Sequence, residues 1–141
     1  MNKQEKYDRA YLKMANDWGQ LSQCERKKVG AIVVKDGQII SDGFNGTPSG
    51  FDNMCENTDN ETHWFVIHAE CNAIIKCAKF GNSCKGATMY QTYSPCRDCS
   101  KLILQAGIER VVYGDEYKDT SGIDFLNESG VKTEKLDIWD F

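Results

Sequence analysis

Two short motifs contain the residue types of a metal site. The first is His68-Ala69-Glu70, and the second is Pro95-Cys96-Arg97-Asp98-Cys99. A histidine and two cysteines are common zinc ligands, and three protein ligands leave the fourth tetrahedral position open, as in catalytic rather than structural zinc sites. Glu70 is not needed as a ligand, so its carboxylate is available to transfer protons beside the metal. The motifs therefore predict a catalytic Zn²⁺ held by His68, Cys96 and Cys99.

Each motif has a simpler interpretation when it is taken alone. Cys96 and Cys99 form a C-x-x-C pair, which can be a redox pair or half of a structural zinc site. His68 alone would be an ordinary core or surface histidine, and Glu70 alone would be a carboxylate stabilised by a helix N-terminus. All four residues together, with Pro95 before the cysteines, favour the catalytic site.

A zinc site of this kind carries out hydrolysis. Zinc makes hydroxide available near neutral pH, and hydroxide can attack the amidine-like carbon of an aminopyrimidine or aminopurine ring. We expect Glu70 to take a proton from the water, to protonate the ring nitrogen and later to protonate the leaving ammonia. A carboxylate with this role needs a pKa raised towards the working pH, which burial would supply.

The composition fits one cytoplasmic domain. The chain has 141 residues, of which 40% are hydrophobic, and this is enough for one core. It contains no apolar stretch of membrane-spanning length, and its first residues do not resemble a signal peptide. Seven cysteines without disulfide-scaffold spacing indicate thiols and metal ligands in a reducing compartment. We therefore expect a cytoplasmic location and no membrane partner.

Charge is distributed unevenly along the chain. Residues 1–114 contain fourteen Lys or Arg and thirteen Asp or Glu, whereas residues 115–141 contain three and eight. A protein that binds long nucleic acids usually presents a basic face, so we expect no such partner. The one compact basic cluster, Arg26-Lys27-Lys28, fits a single phosphate or a free nucleotide, although a solvated turn explains it equally well.

Alternating helices and strands are predicted around the two motifs. Periodicity and turn residues indicate helices at 4–19, 68–80, 95–106 and 120–129, and strands at 29–34, 38–44, 87–92, 110–113 and 131–136. Ser94 is the expected N-cap of the third helix. Asp36-Gly37 predicts a tight antiparallel hairpin, whereas helical crossovers predict parallel pairs, so the sheet should be mixed. Residues 51–66 are predicted to form an irregular insertion.

The first predicted helix has an apolar face that we expect to pack on the sheet. This face consists of Tyr7, Ala10, Tyr11, Met14, Ala15 and Trp18.

The two motifs and their neighbours resemble the cytidine/deoxycytidylate deaminase superfamily. The matching segments are HAECNAI at 68–74 and SPCRDCSKLI at 94–103. The pattern H-x-E…P-C-x-x-C is known from zinc-dependent nucleobase deaminases. Residues 24–26 with 29–31, and the segment GFNGTP at 43–48, resemble the deoxycytidylate (dCMP) deaminase branch, including its viral members.

The resemblance implies an α/β fold, namely a three-layer α/β/α cytidine-deaminase-like fold with a five-stranded mixed sheet, in which residues 1–141 form a single deaminase domain. It also implies hydrolysis of dCMP to dUMP and ammonia in pyrimidine deoxynucleotide metabolism, in the host cytoplasm if the protein is viral. Family members are typically hexamers that dCTP activates and dTTP inhibits. We therefore expect a homo-oligomer, with these two effectors and with Mg²⁺ accompanying the effector.

The same resemblance implies substrate contacts. Asn45 would hydrogen-bond the sugar, the backbone N–H of Ala69 the ring carbonyl, and the carbonyl of Ser94 the exocyclic amine. Arg26 is the candidate for the substrate phosphate. The expected effector-binding residues are Gly43, Asn45, Gly46 and Thr47.

A second, structural Zn²⁺ is also implied, because related enzymes often hold one with residues from the regions of Cys24, Cys55 and His63. Such a metal would order a polar insertion that has little apolar area of its own. Two cysteines and a histidine suit zinc, although no fourth ligand is identified. The alternative is that the two cysteines are reduced, the histidine is exposed, and the three residues are unrelated.

Three other functions stay open at this point. A cytidine or deoxycytidine deaminase would share the zinc site but would need no phosphate contact. A tRNA adenosine deaminase would need a basic groove, which the acidic C-terminal residues disfavour. A non-enzymatic zinc module would close the metal with a fourth protein ligand.

Overall fold

The computed structural model describes residues 1–138, which contain four helices and five strands. The helices are α1 (Lys3–Gly19), α2 (Ala69–Lys79), α3 (Arg97–Gln105) and α4 (Ser121–Glu128). The strands are β1 (Gly30–Lys35), β2 (Gln38–Phe44), β3 (Thr88–Tyr93), β4 (Arg110–Asp115) and β5 (Lys132–Lys135). Every predicted element is therefore confirmed, with each end within two residues of its predicted position.

The five strands form one mixed sheet, as predicted. Their order is β2-β1-β3-β4-β5. Strand β1 pairs antiparallel with β2 and β3, whereas β3, β4 and β5 are parallel. Asp36 and Gly37 have φ angles of 51° and 74°, so the hairpin between β1 and β2 uses the left-handed turn that this residue pair favours.

Helices cover both faces of the sheet, which confirms the three-layer α/β/α fold. Neighbouring strand residues point to opposite faces. On the α1 face, the core contains Leu12, Ala15, Ile32, Val34, Tyr90 and Val112. On the opposite face, which α2, α3 and α4 cover, it contains Ala31, Val33, Ala73, Met89, Ile103, Val111 and Leu126. Within residues 1–138, no helix is both long and apolar enough to cross a membrane.

The predicted buried face of α1 is only partly correct. Tyr7, Met14 and Trp18 are 50%, 43% and 37% exposed. Ala15 is buried as predicted and Tyr11 packs partly buried on the same core, but the other buried residues of α1 are Asp8, Leu12 and Gly19. The apolar pattern misled the prediction because one position of the true buried face carries a charged residue.

Asp8 is buried because it is fully paired. Both of its carboxylate oxygens accept hydrogen bonds from Arg110 of β4, at 2.8 and 2.6 Å, and the hydroxyl of Tyr90 donates a third at 2.6 Å. Burial opposes ionisation, but these bonds outweigh it and hold the pKa of Asp8 below its usual range. The network fixes α1 to the middle of the sheet.

Candidate active site

The two motifs lie at the N-termini of neighbouring helices. His68 is the N-cap of α2 and Glu70 lies in its first turn. Cys96 is the N-cap of α3, and Cys99 lies in the first turn of that helix. The positive end of a helix dipole stabilises a thiolate, so both cysteines occupy positions that suit metal ligands.

Helix α3 begins two residues later than predicted. Ser94 is not its N-cap, because the Ser94 hydroxyl accepts a hydrogen bond from the backbone N–H of Tyr117 at 3.0 Å. The shift places Cys96 itself at the corner between β3 and α3. Ser94 is fully buried, and its backbone N–H donates to the carbonyl of Asp115 at 2.7 Å.

The three predicted zinc ligands come together. Nδ1 of His68 lies 3.5 Å from Sγ of Cys96 and 3.4 Å from Sγ of Cys99. Zn–N bonds of about 2.0 Å and Zn–S bonds of about 2.3 Å place tetrahedral ligand atoms roughly 3.5 Å apart, so the set fits zinc. Among residues 1–138, no other group of three His, Cys, Asp or Glu is arranged to hold a metal, and no fourth such residue joins this one. The open fourth position disfavours the non-enzymatic module.

The cysteine pair has one acidic thiol before any metal binds. A hydrogen bond from Cys99 lowers the pKa of Cys96 to about 4. The same hydrogen bond raises the pKa of Cys99, because it stabilises the protonated thiol that donates it, and burial raises this pKa further. Hydrogen bonding to Cys96 also raises the pKa of His68. Zinc binds cysteine as the thiolate, so the lowered pKa of Cys96 suits a metal ligand.

Glu70 is buried beside these ligands, with 4% of its surface exposed. Burial raises the pKa of its carboxyl group, as the proposed proton transfer requires. The positive charge of His68 and a hydrogen bond from Gln91 oppose this rise in part. That bond runs from Nε2 of Gln91 to Oε2 of Glu70 and is 2.9 Å long.

A cavity of about 260 Å³ opens at the motif residues. Three of the four predicted substrate contacts line it, namely Arg26, Asn45 and Ala69, and Ser94 does not. The other lining residues are Cys24, Lys27, Val29, Glu56, Thr62, Val66, His68, Glu70, Cys96 and Tyr117. The cavity wall therefore combines two of the three metal ligands, a buried acid and two cationic side chains.

Lys27 is held at this cavity by two aromatic rings. Its ammonium group lies 4.2 Å from the ring centroid of Tyr93 and 4.2 Å from that of Tyr117. The two rings stack on each other with their centroids 5.5 Å apart. Cation–π contacts of this kind fix a lysine that would otherwise be mobile.

The segment that carries the cationic residues is fixed by two polar side chains. Asn45 accepts a hydrogen bond from the backbone N–H of Val29 at 2.9 Å and donates one to the carbonyl of Lys27 at 2.8 Å. The carboxylate of Glu56, in the predicted insertion, accepts from the backbone N–H groups of Glu25 and Arg26. The basic cluster is therefore an ordered part of the cavity wall, although Lys28 is exposed and does not line it.

The four predicted effector residues are not all in one place. Asn45 lines the first cavity, whereas Gly43, Gly46 and Thr47 line a second one of about 390 Å³, together with Lys76 and Lys79. Gly43 also has a packing role. A Cβ there would lie 2.5 Å from the carbonyl oxygen of Ala69, so only glycine allows β2 to approach α2 this closely.

The structure does not support the second zinc site. Cys24 and Cys55 form a disulfide, and a disulfide has no thiolate to bind a metal. The imidazole of His63 stacks on Phe65 with ring centroids 4.7 Å apart. The disulfide, rather than a metal, ties the insertion to the segment before β1. It also departs from the expectation that cysteines outside the metal sites are free thiols.

Sequence reasoning missed Gln91, Glu56 and Tyr117. Gln91 could have been noticed in the sequence, because it is a polar residue in a strand that is otherwise suited to burial. The other two lie in irregular segments, where no periodicity indicates which side chains point inward.

The geometry agrees with comparisons to known proteins. The family model for the cytidine and deoxycytidylate deaminase zinc-binding region matches residues 1–115. The chain is 35% identical over 164 residues to the deoxycytidylate deaminase of Enterobacteria phage T4, which covers 86% of this chain and 85% of that protein. It is 38% identical over 122 residues to ComE operon protein 2 of Bacillus subtilis. This alignment covers 83% of this chain but only 64% of that relative.

A solved structure extends the comparison to nearly the whole chain. The protein is similar to the dCMP deaminase of cyanophage S-TIM5, crystallised in complex with dCMP and dUMP, with 51% identity and a TM-score of 0.90. The match covers 96% of this chain and 99% of that one. Fold, metal-site geometry and sequence thus agree, and the chain belongs to the cytidine and deoxycytidylate deaminase family.

Proposed function

We propose that the protein is a zinc-dependent dCMP deaminase that hydrolyses dCMP to dUMP and ammonia. The observation that carries this proposal is one cavity in which His68, Cys96 and the buried Glu70 share the wall with two cationic side chains, while His68 and Cys96 form a zinc-ligand cluster with Cys99. The similarity to the cyanophage enzyme supports the same substrate.

The chemistry divides between the metal and Glu70. A zinc ion held by His68, Cys96 and Cys99 would supply an activated water. Glu70 accepts a proton from the attacking water and donates it to the ring nitrogen. It then takes the remaining proton from the hydroxyl group added to the ring carbon and delivers it to the exocyclic amine, which leaves as ammonia while the product carbonyl forms. Its burial suits this exchange, because a carboxyl group with a raised pKa gives up and takes back a proton more evenly near neutral pH.

The nucleotide is held by groups on the other walls of the cavity. Arg26 and Lys27 face the substrate phosphate, and Asn45 hydrogen-bonds the sugar. The backbone N–H of Ala69 donates to the ring carbonyl, and the carbonyl of Ser94 accepts from the exocyclic amine. The roles of Arg26, Asn45, Ala69 and Ser94 follow the family resemblance, and the positions of the first three on the cavity wall support them. Lys27 is added to the phosphate contact because it lines the same wall.

The main alternative is a nucleoside deaminase, and substrate preference separates the two functions. Ammonia release should be measured with dCMP, deoxycytidine and dCTP under one set of conditions. We expect a clear preference for dCMP. Equal rates on dCMP and deoxycytidine would contradict a role for the phosphate and favour the nucleoside enzyme.

Arg26→Ala tests the phosphate contact directly. Loss of a charge-assisted hydrogen bond should lower kcat/KM for dCMP by roughly ten- to a hundredfold and leave deoxycytidine nearly unaffected. Lys28→Ala is the matched control. It also removes one positive charge, but Lys28 lies two residues after Arg26 and its exposed side chain is outside the cavity. An equal loss on both substrates in Arg26→Ala would indicate a folding role instead.

We also propose regulation by dCTP and dTTP in a homo-oligomeric, hexameric enzyme. The second cavity supports an effector site, because Gly46 and Thr47 share it with two lysines that suit a triphosphate, with Mg²⁺ accompanying the nucleotide. Exposed apolar side chains such as Trp64, at 93%, and Phe51, at 56%, support subunit contacts. Light scattering with and without each nucleotide, alongside initial rates, tests both parts.

A further inference from the structure

Gln91 is a polar side chain at the centre of the sheet. It lies in β3, paired with Ala31 of β1 and Tyr113 of β4, and it is fully buried. Its strand neighbour on the same face, Met89, belongs to the apolar core. An amide in such a place is unfavourable unless its hydrogen bonds are made, so the contacts of Gln91 indicate what it does.

The amide nitrogen of Gln91 makes two hydrogen bonds. It donates to Oε2 of Glu70 at 2.9 Å and to the backbone carbonyl of Tyr93 at 2.7 Å. A carboxylate and a carbonyl only accept hydrogen bonds, so the reversed amide would place its oxygen against two oxygens. The orientation of the amide is therefore fixed, with both N–H groups directed at these two acceptors.

The other end of the amide is not stabilised in this way. Oε1 of Gln91 is buried, and among residues 1–138 it has no hydrogen-bond partner. An unpaired buried carbonyl lowers stability, so an apolar residue would serve the core better. The hydrogen bonds that its N–H groups donate therefore explain a glutamine at this buried position better than packing does.

We propose that Gln91 is a positioning residue, which holds the carboxylate of Glu70 in the orientation from which it transfers protons. The bond to Tyr93 fixes the amide to the strand backbone, and the second N–H then fixes Oε2 of Glu70. The other carboxylate oxygen is left to exchange protons with the substrate. This inference rests on the proposed role of Glu70 and adds a residue from a different element to that site.

Gln91→Met is the first test, because it keeps the volume and removes both donors. We expect kcat for dCMP to fall by about 10- to 100-fold, as for loss of a hydrogen bond to a charged group. KM should stay within about twofold, because the bond acts on the acid and not on substrate binding. Zinc content should stay at the wild-type value.

Gln91→Asn is the second variant, in case the methionine variant does not fold. It keeps the amide but shortens the side chain by one carbon–carbon bond of about 1.5 Å, which takes the N–H out of reach of Glu70. The same loss of kcat with unchanged KM is expected. A folded, zinc-loaded variant of either kind with kcat within about threefold of wild type would overturn the proposal.

A double-mutant cycle with Glu70→Gln separates positioning from general structural damage. If Gln91 acts through the carboxylate of Glu70, Gln91→Met should lower the wild-type rate but not the residual rate of Glu70→Gln. An equal loss in both backgrounds would overturn the proposal. A Glu70→Gln variant with wild-type kcat would instead contradict the proposed role of Glu70, so the two failures are distinguishable.

Discussion

Gly43 is the contact point between strand β2 and the helix that carries Glu70. A Cβ at this position would lie 2.5 Å from the carbonyl oxygen of Ala69 and 2.7 Å from the backbone nitrogen of Ala73. Both atoms belong to the backbone of α2, so neither can rotate away. The helix is also tied to β2, since the Ser41 hydroxyl donates to the carbonyl of Ala73 at 2.7 Å. Gly43→Ala must therefore move α2 by about 1 Å to restore ordinary contact distances.

This displacement sets the expected size of the effect. Overpacking of this kind costs about 1–3 kcal/mol, which lowers Tm by roughly 3–12 °C in a chain of this length. Ala69 lies between His68 and Glu70, so the shift also displaces both of these residues relative to Cys96 and Cys99 at the start of α3. A 1 Å misplacement can cost about 10²-fold in rate, so kcat for dCMP should fall by about that factor.

Thermal unfolding of zinc-saturated protein and initial rates with dCMP measure the two effects. Gly46→Ala is the matched control for stability, because no atom lies within 4 Å of a Cβ built at Gly46. Its free energy of unfolding should stay within about 0.5 kcal/mol of wild type. If Gly43→Ala is as stable and active as wild type, or if Gly46→Ala loses as much stability, then close packing of β2 on α2 does not explain the glycine.

Two further substitutions test the α1 anchor and the metal site. Asp8→Asn breaks the pair with Arg110 and should lower the free energy of unfolding by about 3 kcal/mol in urea at neutral pH. The folded-state pKa of Asp8 is lowered, so the stabilisation by the ionised carboxylate is present above about pH 4 and is lost as the pH falls through the folded pKa. The free energies of unfolding of the two proteins should therefore converge in acid. A difference that stays constant with pH would contradict the pairing. Cys99→Ala should lose both zinc and activity, and elemental analysis that finds wild-type zinc in this variant would exclude Cys99 as a ligand. The wild type should contain about one zinc per chain, since the disulfide leaves a second site without thiolates; close to two would contradict the disulfide.

The zinc cluster was predictable because its ligands lie in two short local motifs. His68 and Glu70 share one helix start, and Cys96 and Cys99 share another, so only the approach of two helices had to be supplied by the fold. The strands and helices were predictable for a similar reason, since turn residues and apolar periodicity act over a few residues.

The features that were not predicted all depend on residues that are far apart in the sequence. Asp8 is buried only because Arg110, about a hundred residues away, supplies its hydrogen bonds, and this rotates α1 relative to its apolar pattern. Cys24 and Cys55 lie close together as expected, but they form a disulfide, and residue types alone do not distinguish such a bridge from a metal site. Gln91 is a polar residue whose reason for burial is visible only once Glu70 lies beside it.

The proton-transfer role of Glu70 is the central claim, and Glu70→Gln tests it most directly. The substitution keeps the size of the side chain and removes its ability to exchange protons, while the metal ligands stay in place. Release of dUMP and ammonia from dCMP should be measured together with zinc content. We expect about one zinc per chain and a kcat lower by about 10²- to 10⁴-fold. Full zinc occupancy with a kcat within about tenfold of wild type would contradict it.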